Sequence, residues 1–154
     1  MTSPTPDQLD PDRHWYPDTV LHFRTDPAVR VDLREPVRKE GLARLEKIGL
    51  TGPFAVLTAH DPRGRDESAD VNARRAAVLD EKLLSLGARF VHVEACSPDG
   101  SHCEASVAVA ISREAATGLA REFEQVAIFW FDGEKFWIVG ALAPADPVML
   151  PRVV

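Results

Sequence analysis

The stretch that decides the reading is Phe54-Ala-Val-Leu-Thr-Ala59, followed by His60-Asp-Pro-Arg-Gly-Arg-Asp-Glu67 and then Ser68-Ala-Asp-Val-Asn72. The first part is apolar almost without interruption, which reads as a central strand, 53–59, covered on both faces. The middle part is polar and broken by Pro62 and Gly64. Ser68 then suits an N-cap for a helix from about Ala69 to Leu86, with Gly87 as its C′ residue. The inner face of that helix is expected at Ala76, Leu79, Leu83 and Leu86. One turn before Ala76 lies Asn72, so an amide is placed on the core side at the helix mouth. Strand, loop and helix N-terminus together form a place where α/β proteins hold polar ligands.

Upstream, Trp15–Phe23 and Ala28–Leu33 read as strands, with Thr25-Asp26-Pro27 as the turn between them. Pro36 suits the first turn of a helix carrying Val37, Leu42, Leu45 and Ile48, closed by Gly49. Downstream, 88–95 and 104–111 read as strands joined by Ser97-Pro98-Asp99-Gly100. Val91, Val93 and Ala95 are expected to share a face with Val107, Val109 and Ile111. Phe90, His92 and Glu94 would lie beside Glu104, Ser106 and Ala108 on the other. Ser112 caps a helix to Phe123, with Ala116, Leu119 and Phe123 inward, and Gly118 inside it suggests close packing. Val126–Phe131 and Glu134–Gly140 flank Asp132-Gly133, a hairpin signal that in a two-residue loop sets Trp130 against Lys135.

Strand-helix-strand-strand-helix-strand over 53–131 is the split βαβ order. Right-handed crossovers then predict an α+β fold with a ferredoxin-like core: a mainly antiparallel sheet in the order fourth, first, third, second, helices on one face. The C-terminal hairpin adds a strand, and the β-β-α segment 15–48 extends the sheet or covers its open face. The expected organisation is a flexible tail at 1–14, a single domain at 15–140 and a Pro-rich, irregular tail at 141–154.

The chain has 154 residues, 45% hydrophobic and 27% charged, as in a soluble globular domain. A net charge of −6 argues against a nucleic-acid surface. The N-terminus lacks the apolar core of a signal peptide, and no run approaches the length of a membrane span, so a cytoplasmic location is expected. On that premise Cys96 and Cys103 are expected to be free thiols. No cofactor is expected. A zinc site at Cys96, His102 and Cys103 with His60 or His92 lacks the usual spacing, so no metal is assigned.

The predicted topology brings Thr58, His60, Asp61, Arg63, Asn72, Glu104, Ser106 and Gln125 to one end of the sheet. These residue types can bind a small polar or anionic molecule, with Arg63 and the helix N-terminus taking negative charge. His60 or Glu104 can instead serve as the acid or base of a small hydrolase or transferase. Loop scaffolding is the bland alternative: Asp61-Pro62 shaping a turn and Glu104 locking the helix start. An interaction module is a third option, with homo-oligomers forming through the aromatic edge of the 126–140 hairpin.

Thr58-Ala59 with Pro62, then Ser68 and Asn72, Glu104-Ala-Ser106 and Phe123-Glu-Gln125-Val-Ala127 together carry a family likeness. Over roughly residues 15–140 the chain resembles the bacterial family named domain of unknown function 3293. That family's pattern is Thr-Ala-x-Asn-Pro, Ser, Asn, Glu-x-Ser and Phe-Gly-Gln-x-Ala. Asp61 stands where the family has Asn, and Glu124 where it has Gly. The resemblance implies a shared site at this end of the sheet and implies no reaction.

Overall fold

The computed structural model of the chain describes residues 13–142 and 145–152. The tail expected at 1–14 falls mostly outside them, as do Ala143, Pro144, Val153 and Val154. The described residues form an α+β fold of eight strands and three α-helices. In chain order these are β1 (Val20–Phe23), β2 (Val29–Asp32), α1 (Lys39–Lys47), β3 (Phe54–Thr58), α2 (Ala69–Ser85), β4 (Phe90–Cys96), β5 (Cys103–Val109), α3 (Arg113–Glu122), β6 (Ala127–Phe131), β7 (Phe136–Gly140) and β8 (Val148–Met149). The strands make one antiparallel sheet in the order β2-β1-β4-β5-β3-β6-β7-β8. Its middle, β4-β5-β3-β6, has the order that the sequence predicts. It is continuous with both flanks, however, and does not stand as a separate four-stranded core.

Two apolar clusters explain the layering. On one face, Ala55, Leu57, Val107, Val109 and Ile128 meet Leu79 and Leu83 of α2 and Ala116, Leu119 and Ala120 of α3. On the other, Leu21, Phe23, Val31, Phe54, Val56, Phe131 and Phe136 gather strands from both ends of the sheet around Leu45 of α1. That shared cluster curls the sheet into a half-barrel. Phe54 sits at its centre, with ring centroids 5.1 Å from Phe131 and 5.8 Å from Phe136.

Several local expectations change. Residues Arg13–Asp18 form a 3-10 helix in place of the start of a strand, because Pro17 cannot donate to a ladder. Helix α1 begins at Lys39, three residues past Pro36. Leu86 ends α2 exposed, since the helix's buried stripe stops at Leu83. A Cβ on Gly118 would meet nothing within 4 Å, so the expected close packing there is absent.

Two registers also move. The β4–β5 turn holds six residues, closed by Ser97 N–H donating to the His102 carbonyl at 2.8 Å. The resulting pairs are Val93 with Ser106 and His92 with Val107, so each set of β4 side chains faces the opposite way from the expectation. In the β6–β7 hairpin, Trp130 lies across from Trp137, not Lys135. The Asp132 carboxylate accepts from the Glu134 and Lys135 amides and from the Trp137 indole at 2.8–2.9 Å, which widens the loop to four residues. The segment expected as an irregular tail supplies β8, paired with Trp137 and Ile138 of β7, and buries Leu150. The hairpin edge expected to be open is covered there.

Candidate functional site

The loop from Ala59 to Ser68 leaves the end of β3 and is tied down residue by residue. Thr58 Oγ1 donates to the Ala105 carbonyl at 2.7 Å and accepts from His60 N–H at 3.0 Å. Asn72 and Asp61 bond reciprocally. The Asp61 amide donates to Asn72 Oδ1, and Asn72 Nδ2 donates to Asp61 Oδ1, each at 2.9 Å. Asp61 Oδ1 also accepts from Glu67 N–H at 3.0 Å, closing the loop on itself. Gln125, buried, donates to the His60 and Phe123 carbonyls. Arg75 donates to the Ala59 and Phe123 carbonyls at 2.6 Å each. Ser68 caps α2 by accepting from Val71 N–H.

The scaffold imposes backbone strain. Asp61 at φ 46°, Arg63 at φ 57° and Glu124 at φ 58° are the non-glycine residues with positive φ among those described. Two of them bond to each other: Arg63 N–H donates to the Glu124 carbonyl at 2.7 Å, and Arg63 Nε to Glu124 Oε1 at 3.0 Å.

Beside this loop lies a cleft of about 770 Å³, bounded by the loop, one face of α2 and the start of β5. His60, Asp61, Asn72, Glu104 and Ser106 all line it, so five of the predicted site residues meet there. Thr58, Arg63 and Gln125 do not line it; Thr58 and Gln125 brace the loop behind it, and Arg63 turns to Glu124. The arginine expected to receive an anion is therefore outside the cleft. Five acidic residues border it (Asp61, Asp66, Glu67, Asp80 and Glu104), and among the described residues neither lysine nor arginine does. The apolar part of the lining includes Ala69, Ala73, Ala76 and Ala77 of α2 and Val107 of β5.

Three histidines border the cleft. His92 Nε2 lies 2.8 Å from Asp80 Oδ2 of α2, and His102 Nε2 lies 3.7 Å from Glu104 Oε1. Glu94, two residues along the same strand, pairs with Arg24. Burial holds the His60 imidazole below its ordinary pKa; Asp61 opposes that and Arg75 reinforces it. The His60 ring makes no hydrogen bond among the described residues.

Sequence reasoning missed Arg75 and Asp80. Asn72, Ala76 and Asp80 form one i, i+4 stripe along α2, which is the signal that would have found Asp80. The expectation of free thiols is overturned: Cys96 and Cys103 form a disulfide. The turn makes them directly opposed residues of a non-hydrogen-bonded pair, with Cα atoms 4.1 Å apart. Among the described residues the only cluster of metal-type donors is Glu94, Cys96 and Cys103, and the sulfur–sulfur bond removes both thiolates from it. No helix among the described residues is long and apolar enough to cross a membrane.

No curated protein and no solved structure matches the chain. Residues 57–128, from the end of β3 into β6 and so across the braced loop, match the model of the family described as "Protein of unknown function (DUF3293)", and over that stretch the chain resembles this family.

Proposed function

We propose that the protein binds a small ligand with a positively charged polar end, such as an amine, in the cleft between α2 and the start of β5. The observation that carries this is the cleft's wall: five acidic residues and neither lysine nor arginine among the described residues, beside a row of alanines on α2. An ammonium group has donors to match carboxylates, and a short carbon chain can rest on the alanines. The anionic ligand expected from Arg63 loses its main partner to Glu124. A cytoplasmic place belongs to the same reading, and it requires the Cys96–Cys103 bond to open and close.

The test uses the full chain and a thermal-shift series of primary and quaternary amines, with matched carboxylates and phosphates as controls. Amines are expected to raise Tm. Asp61→Asn keeps the Oδ1 acceptor that holds the loop yet removes a charge from the wall. It is expected to weaken amine binding roughly tenfold, about 1.4 kcal/mol. Stabilisation by the anions, with none by the amines, would refute the charge assignment.

His60 supports a second reading. It borders the cleft with no ring partner among the described residues, and burial holds its pKa below the ordinary value, which suits a general base of a hydrolase or transferase. A His60→Gln variant with unchanged turnover of a substrate found by screening would remove it.

A further inference from the structure

Cys96 and Cys103 join β4 to β5 at the rim of the cleft, and neither the braced loop nor the acidic wall uses them. We propose that this pair is a reversible thiol–disulfide site that exchanges with a small dithiol through the Cys103 sulfur.

Three observations support it. The first is access. Cys103 is exposed and lines the cleft, whereas Cys96 is 4% exposed. An incoming thiolate reaches only one of the two sulfurs, and a cleft of about 770 Å³ admits a small dithiol there. The second is independence of the backbone. The next pair along the ladder is closed by Ser97 N–H to the His102 carbonyl at 2.8 Å. The turn beyond it is tied by Asp99 Oδ1, which accepts from the Ser97 and Ser101 hydroxyls and the Ser101 amide. Opening the disulfide therefore leaves the hairpin formed. The third follows from the second: with β4 and β5 paired from Phe90–Val109 to Cys96–Cys103, the two thiols remain neighbours and can close again.

The exchange balances in two steps. A thiolate of the dithiol attacks Cys103 Sγ, forming a mixed disulfide in the cleft and expelling Cys96 as a thiolate, which takes up a proton. The second thiolate attacks the dithiol's own sulfur in that mixed disulfide and releases the Cys103 thiolate, which is protonated in turn. The dithiol ends as a cyclic disulfide, having passed two electrons to the cystine, and the two protons on the cysteines replace those it gave up.

The experiment equilibrates the folded full chain in buffers of reduced and oxidised dithiothreitol, labels it with iodoacetamide and weighs it intact. Protein isolated without reductant is expected to take no label even when denatured afterwards. In reducing buffer it should take two labels with its circular dichroism unchanged, and oxidised dithiothreitol should restore the unlabelled form. In single variants, Cys103 (tested in Cys96→Ser) should label at least about tenfold faster than Cys96 (tested in Cys103→Ser), as exposure dictates. Free thiols in the isolated native protein, reduction only where the chain unfolds, or equal labelling of the two cysteines would each overturn the proposal. None of these readouts depends on the ligand of the cleft.

Discussion

Replacing Asn72 tests whether the polar residues at this end of the sheet are loop braces. Asn72 is 9% exposed, and both ends of its amide bond to Asp61 at 2.9 Å. Asn72→Ala deletes both bonds. At about 1 kcal/mol net for each, the loss is about 2 kcal/mol. For a chain of 154 residues that lowers Tm by roughly 4–8 °C. Asn72→Asp is the sharper perturbation. It keeps the shape and the acceptor for the Asp61 amide, but turns the Nδ2 donor into an oxygen facing the Asp61 carboxylate. The near-isosteric change should therefore cost more than the truncation at neutral pH, about 3 kcal/mol, and its deficit should narrow as acid protonates one of the two carboxylates. Urea unfolding followed by tryptophan fluorescence, at pH 7 and again near pH 4.5, measures both. A loss below about 0.5 kcal/mol for Asn72→Ala, or an Asn72→Asp variant as stable as the parent at pH 7, would refute the brace.

Three further outcomes are expected. Glu124→Gly should raise stability by about 0.5 kcal/mol, because relief of the positive φ outweighs loss of an exposed ion pair with Arg63, while Glu124→Val should lose more than about 1 kcal/mol; equal midpoints for the two would sink the strain argument. Gly118→Ala, on the exposed side of α3 with open space around it, should gain about 0.5–1 kcal/mol in chemical denaturation. For His60 the folded pKa lies below its ordinary value of 6.5, so the unfolded chain binds more protons between the two values. That contribution to stability is present above pH 6.5 and is lost as pH falls toward the folded pKa. His60→Gln should flatten the stability profile in that window, which a pH series of urea midpoints would show.

How much of this was legible follows from the range of each signal. Helix α2 was readable almost to the residue because its cap, its stripe and Gly87 are all local, and the structure has the Ser68 cap and a positive φ at Gly87. The four middle strands came out in the right order because crossover handedness constrains them. What failed was register. A Pro-Asp-Gly turn signal marks where β4 and β5 reverse but not how many residues the reversal takes. Two residues more than the turn motif fixed the pairing that opposes Cys96 to Cys103 and sends His92 toward Asp80. The site suffered in the same way. Five of the expected residues lie along one cleft, but what each does there depends on side-chain directions that spacing does not encode. Arg63 looked like the anion receptor until its backbone turned it toward Glu124.

The two departures from the family pattern then acquire a physical meaning. In the pattern of the family that the chain resembles, Asn stands at the position of Asp61 and Gly at that of Glu124, and here both residues hold left-handed backbone, at φ 46° and 58°. Asn and Gly are the residues that adopt that region most readily, so the pattern at these two positions records backbone geometry before it records ligand chemistry. Asp keeps Asn's ability to accept from the Glu67 amide and from Asn72, so the substitution at 61 preserves the brace and adds a negative charge to the cleft wall. Glu at 124 carries the larger steric cost, and its carboxylate recovers part of it by holding Arg63, the residue that would otherwise bring positive charge toward the cleft. The two changes act in the same electrostatic direction at one site. Proteins with Asn and Gly at these positions are expected to keep the loop and to have a less acidic cleft, so the proposed preference for a cationic ligand should track positions 61 and 124 together and not the braces Thr58, Asn72 and Gln125.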